Sequence, residues 1–175
     1  YRLKDLPMLQ RLDELGLLMI EQPLEPGDLV DHAQLQSKLK TAICLDESIL
    51  SLADTKKMIQ LGSGRIINIK VARVGGLGAS KQIQEYASKH CIQCWCGGML
   101  DSGVARAENV AIATLQGYTL PNDIAASTRY YNQDIIKPVV ELDGTYVNVS
   151  HRPGLGYEID WDNMRKFCKA ELVLK

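Results

Sequence analysis

Three charged residues stand where short apolar runs end: Glu21 in LLMIEQP, Asp46 in AICLDES and Lys70 in IINIKVA. Two acids and an amine placed this way could hold a divalent cation and move a proton. Carboxylate oxygens suit a hard cation, and an amine relieved of its proton is a base. A charge at the end of a buried strand is costly unless paired or bound, so three in succession read as one site. The spacings, 25 and then 24 residues, are those of a strand, a helix and two loops. They imply a repeated βα unit.

The elements that must position these residues can be followed along the chain. Leu3, Leu6, Leu9 and Leu12 recur at helical spacing over 3–15, with Asp5 and Pro7 in the opening turn and Gly16 as the stop. A first strand is expected at 17–20, a helix at 28–39 and a second strand at 42–45. A third helix at 52–61 runs into Gly62-Ser63-Gly64, and a third strand at 66–71 runs into a loop with Gly75, Gly76 and Gly78. Next come a helix at 79–89, a strand at 92–96 ending in Gly97-Gly98, and an Ala-rich helix at 103–116. The segment 121–126 reads as a fifth strand or an irregular edge. Past residue 127 the pattern changes: VVELDGTYVNV is a hairpin around Asp143-Gly144, RPGLGYEID a loop, and 161–168 a short helix.

Near-continuous apolar strands alternating with helices make an α/β protein with a parallel sheet. Charges at the C-terminal strand ends favour a (β/α)8-type barrel over the competing open, doubly wound sheet. The GGLG at 75–78 lacks the dinucleotide-binding spacing. The expected division is a barrel portion at 1–127 and a tail at 128–175 that packs on it.

Composition narrows the function classes. The 175 residues are 46% apolar and 23% charged, enough for a packed core, and a net charge of −1 gives no case for nucleic acid or an anionic membrane. No apolar run approaches a membrane span, and YRLKDLPML lacks the pattern of a signal peptide. Cys44, Cys91, Cys94 and Cys96 have no second pair at zinc-ligand spacing, and His90 faces away from its neighbour Cys91. They read as buried thiols of a cytoplasmic protein.

At LLMIEQPL, CLDES, NIKVARVGGL and WCGGMLDSGVARAENVAIATL the chain resembles the enolase superfamily, in its o-succinylbenzoate synthase and N-succinylamino acid racemase branch. PNDIAAS, DII and PGLGYEID extend the resemblance over nearly the whole length. It implies a (β/α)7β barrel beneath an α+β cap domain, with one Mg2+ (Mn2+ is an acceptable substitute) held by three carboxylates on successive strands. Two lysines face each other across a small carboxylate substrate. Glu21 matches the second metal ligand, Asp46 the third, and Lys70 the lysine on the far side.

The resemblance would put the first metal-binding Asp, the opposing lysine pair and the cap upstream of Tyr1. This chain is then expected to be the C-terminal part of a longer enzyme, inactive alone. A half-barrel has an uncovered edge and apolar surface, so self-association is also expected.

The implied reaction removes the proton alpha to a carboxylate, through an enediolate. It would be the dehydration of a menaquinone-pathway lyase, racemisation of N-succinylamino acids, or both. Dipeptide epimerisation and muconate cycloisomerisation share the scaffold, and a non-catalytic, self-associating fragment is the alternative of another class. Gly97, Gly98 and Met99 would bring backbone amides to the substrate. Asn68 would support the site from one layer below Lys70. Glu47 points away from the metal and is a supporting or structural residue. Asp101 stands where the family usually has Glu, and Arg73 reads as a surface salt-bridge residue.

Overall fold

The computed structural model describes residues 1–172. Contacts divide the chain into two compact units. One comprises residues 1–97 and 112–123; the other comprises 98–111 and 124–172 of the described chain. This differs from the expected boundary at 127. The segment after Gly97 contributes to a second core, and Tyr118 and Asp123 return to bridge Cys94 and Gly97 in the first unit.

The first unit opens with α1 (Leu6–Asp13). It continues through β1 (Met19–Glu21), α2 (Leu29–Gln36), β2 (Ala42–Leu45) and α3 (Leu52–Leu61). Then come β3 (Ile66–Ile69), the short α4 (Val71–Val74), α5 (Leu77–Lys89) and β4 (Gln93–Cys96). The four strands are parallel and lie in sequence order, β1-β2-β3-β4, each beside the one before it. A doubly wound sheet reverses its order at a switch point. Among the described strands there is none, and the succession is that of a barrel wall.

Local chemistry sets the elements. Asp28 caps α2 by accepting from the Asp31 amide (2.9 Å), and Ser51 caps α3 by accepting from the Asp54 amide (3.3 Å). Gly62 ends α3 in the left-handed conformation (φ 72°), which costs glycine nothing sterically. His32 in α2 is buried. Its Nε2 accepts from the Leu24 amide (3.2 Å) and its Nδ1 faces the Asp28 carbonyl, so the ring is the neutral Nδ1–H tautomer and pins the loop after β1. Burial lowers its pKa accordingly.

Alternation along the strands sorts side chains onto two faces. Ile43, Leu45, Ile67, Ile69, Cys94 and Cys96 join the core with Leu35, Met58 and Ile83 of the helices, and all are fully buried. Each large aliphatic contributes roughly 1.5–3 kcal/mol by leaving water. The intervening residues face the other way, and they carry the polar groups described below.

The second unit contains α6 (Gly103–Ile112, its last residue in the first unit), β5 (Ile136–Lys137), β6 (Leu142–Asp143), β7 (Tyr146–Val147), β8 (Glu158–Ile159) and α7 (Trp161–Phe167). β5 pairs with β8, and β6 with β7 in the expected hairpin around Gly144. Val110, Ile136 and Val140 form its small core. Arg106, fully buried, donates to the carbonyls of Asp101 and Ala125 (both 2.7 Å) and lies over the Tyr130 ring.

Candidate active site

The strand register gathers the site. Glu21 pairs with Cys44, Cys44 with Ile66, and Asn68 with Trp95, so Glu21, Cys44, Asn68 and Trp95 share the sheet face opposite the aliphatic core. Asp46 follows Cys44 by two residues and Gly97 follows Trp95 by two. Alternation puts both on the same face at the C-terminal ends of their strands.

Asp46 is the hub. Its side chain is only 6% exposed; Oδ2 lies 3.1 Å from Lys70 Nζ, and Oδ1 accepts from Arg73. Two cations on one carboxylate offset the cost of burying it. Lys70 and Arg73 reach it from opposite ends of one helical turn. Lys70 is the N-cap of α4, Arg73 lies within it, and Gly75 closes it with φ 98°. Arg73 is 14% exposed, so the expected surface bridge is instead an inward one.

Glu21 is exposed at the end of β1, and its Oε1 accepts from Asn68 Nδ2 at 2.7 Å. Cys44 lies between the two acids. Burial first, opposed by a hydrogen bond from Trp95 Nε1 (3.3 Å), then the charges of Glu21 and Asp46, together hold its thiol well above its ordinary value.

Gln22 was not singled out by sequence reasoning. Its backbone has φ 37°. Its Oε1 accepts from the amides of Asp46 (3.0 Å) and Ser48 (3.3 Å), while Nε2 donates to Ser48 Oγ (2.8 Å). Ser48 Oγ also accepts from the Gly27 amide (2.9 Å), so one side chain ties the loops after β1 and β2 together. The positive φ next to Glu21 was the one signal, and sequence does not display it.

Glu47 is exposed and lines a surface groove of about 470 Å³ with Asp28, Leu50 and Asp54, away from the Asp46 cluster. Gly97 is buried in the first unit, with its amide donating to the Ile69 carbonyl (3.2 Å). Gly98 and Met99 belong to the second unit, where Met99 is 44% exposed. Asp101 is buried there and accepts from the Met99 amide (2.8 Å) and Asn109 Nδ2 (2.9 Å).

The family model described as "Enolase C-terminal domain-like" matches residues 2–163. The chain belongs to that family. Among enolase relatives, the o-succinylbenzoate synthase of Bacillus subtilis (strain 168) is 52% identical over 167 residues, which cover 95% of this chain and 45% of the relative. An N-succinylamino acid racemase from Amycolatopsis sp is 48% identical over 156 residues, 89% of this chain and 42% of the relative. The crystal structure of an enolase superfamily member from Listeria innocua Clip11262 superposes with a TM-score of 0.94 at 44% identity, over 97% of this chain and 46% of that one. The chain thus spans less than half the length of these relatives.

Whether an enolase-type metal suits these residues turns on the donor set. Glu21 and Asp46 are hard carboxylates on adjacent strands, and both act on the Cys44 thiol between them. Magnesium is often held by one or two carboxylates completed by substrate and water oxygens. No group of three His, Cys, Asp or Glu ligands occurs among the described residues. The pair therefore fits as part of such a site, and Lys70 and Arg73 are ion-paired with Asp46 beside it.

Proposed function

We propose that this chain carries the second and third metal-binding carboxylates, Glu21 and Asp46, and one of two facing lysines, Lys70, of an enzyme that removes the proton alpha to a carboxylate. The reading carries o-succinylbenzoate synthesis, N-succinylamino acid racemisation, or both, as its reactions. The observation that supports it most is the Lys70 Nζ–Asp46 contact of 3.1 Å at the C-terminal ends of adjacent strands. An amine beside the acid that would bind the cation stands where a substrate carboxylate and its alpha carbon would meet both.

When bound by Glu21 and Asp46, Mg2+ would supply positive charge against the two negative charges of the enediolate. The chain's own residues do the rest. Asp46 holds Lys70 and Arg73 within one turn of α4, which fixes the amine's height above the strand ends. As a neutral amine Lys70 takes the alpha proton, or returns it for racemisation; as an ammonium it faces the developing charge in the dehydration. Asn68 keeps Glu21 from turning away by donating to Oε1, and Gln22 holds Asp46 by its amide. The Gly97 amide is already donated to the Ile69 carbonyl (3.2 Å), so the expected substrate contact is not proposed for it.

The test is exchange of the substrate alpha proton with deuterium, using this chain fused to the part of the Bacillus subtilis relative outside the match. Mg2+-dependent exchange is expected, with loss of at least about a hundredfold in Lys70→Ala or Asp46→Asn. Exchange that survives Lys70→Ala would remove the assignment. The chain by itself is proposed to be inactive and self-associating. β1 has only β2 as a neighbour among the described strands, and Leu15 and Leu18 nearby are 67% and 62% exposed.

A further inference from the structure

We infer that Gly97 is part of the device that holds Glu21, and that its missing side chain is the seat of the Asn68 carboxamide. The inference deepens the proposed metal site and rests on Glu21 being a ligand of it. Asn68 is 2% exposed, and its Nδ2 donates to Glu21 Oε1 at 2.7 Å. Its Oδ1 is buried without a conventional donor. A Cβ at residue 97 would lie 2.1 Å from that Oδ1, 2.7 Å from Cγ and 2.7 Å from Nδ2. These are not clashes with the loose end of a long chain. All three atoms of the carboxamide lie within 2.7 Å of that Cβ, so the buried side chain would have to leave its place.

The register explains the meeting. Asn68 pairs with Trp95, so the next inward-facing position on β4's path is 97, beside the Asn68 side chain. Gly97 is held there by its amide bond to the Ile69 carbonyl (3.2 Å) and by the bridge to Asp123. Turning the amide over does not help, because Oδ1 would then face the Glu21 carboxylate, acceptor against acceptor. With glycine at 97, the space that a side chain would fill is left to the Asn68 carboxamide. Asn68 is thus a positioning residue for Glu21, and Gly97 acts through Asn68 rather than by offering a backbone amide to substrate.

The experiment follows the Asn68 side-chain amide signals by 15N NMR in the 175-residue chain, assigned by their disappearance in Asn68→Ala. In the wild type the pair is expected to be displaced from the free-amide position and slow to exchange with water. Glu21→Ala and Gly97→Ala should each return it to the free position. Unchanged signals in Gly97→Ala would overturn the inference. Because Gly97→Ala could unfold the chain, Asn68→Ala/Gly97→Ala is made as well. It should be more thermally stable than Gly97→Ala alone, and equal or lower stability would count against the inference.

Mn2+ titration of the fusion with the Bacillus subtilis relative, wild type and variants alike, read by paramagnetic broadening near Glu21, gives the link to the site. Asn68→Ala and Gly97→Ala should each raise the midpoint about tenfold, and the double variant about tenfold again relative to wild type, not a hundredfold. Multiplying effects would mean that the two residues act separately, against the inference. If Mn2+ broadens nothing in the wild type, the metal reading fails, and the amide signals alone decide the Asn68–Gly97 contact.

Discussion

The two faces of the four-stranded sheet are built from alternate residues of the same strands, yet they obey opposite rules. Behind the sheet, Ile43, Leu45, Ile67 and Ile69 are fully buried and interchangeable in kind, and packing is all that is asked of them. In front, Glu21, Asp46 and Asn68 are each specified by a partner: Asn68 by Glu21, Asp46 by Lys70 and Arg73. The rear face tolerates any hydrophobe of the right volume at modest cost. The front face tolerates almost no change, because each polar group there leaves another stranded when it is removed. A βα unit can therefore keep its fold while its chemistry is rewritten, since the two sets of residues share a backbone and little else.

The comparison can be broken most severely at its rear. Leu45→Ala should cost about 2–5 kcal/mol in urea unfolding, while leaving the identity of the site untouched. A cost below about 1 kcal/mol would mean that the helix-facing layer is not close-packed. Next in size, Asp46→Asn should cost about 1–3 kcal/mol, because it leaves Lys70 and Arg73 side by side without their carboxylate. Adding Arg73→Met should recover part of that loss, and failure to recover any would show that the two cations do not feel Asp46 together. The smallest effect is chemical. Burial pushes the Cys94 thiol on the rear face up to about 12, and Cys44 in front is raised too. Alkylation of the native chain at pH 8 should label the exposed Cys91 and Cys168 first. Mass spectrometry that found Cys44 modified as fast as Cys91 would open the front face to solvent.

Much of this arrangement can be read without coordinates. The spacing of Glu21, Asp46 and Lys70 states the βα repeat, and the caps at Asp28, Ser51 and Gly62 set helix ends close to where periodicity puts them. What escapes is whatever depends on φ or on contacts across strands. The run after Ile69 reads as more strand and then a glycine loop, but Lys70 instead caps a four-residue helix. A turn that short has no period to detect. Arg73 looks like a surface residue because nothing in one sequence shows that this turn brings it back onto Asp46. In the second unit the hairpin around Gly144 and the helices from 103 and 161 are legible, but its extent is not: the β5–β8 pairing joins two-residue strands and its core is three buried side chains, too few to mark a boundary.

Gln22 carries a consequence for how such a protein can diverge. One carboxamide is laced into the backbone of both neighbouring turns, through Asp46, Ser48 and Leu24. Lengthening either turn by a single residue would unlace it, so these two segments can change length only in step. New substrates would have to be accommodated by insertions elsewhere around the rim.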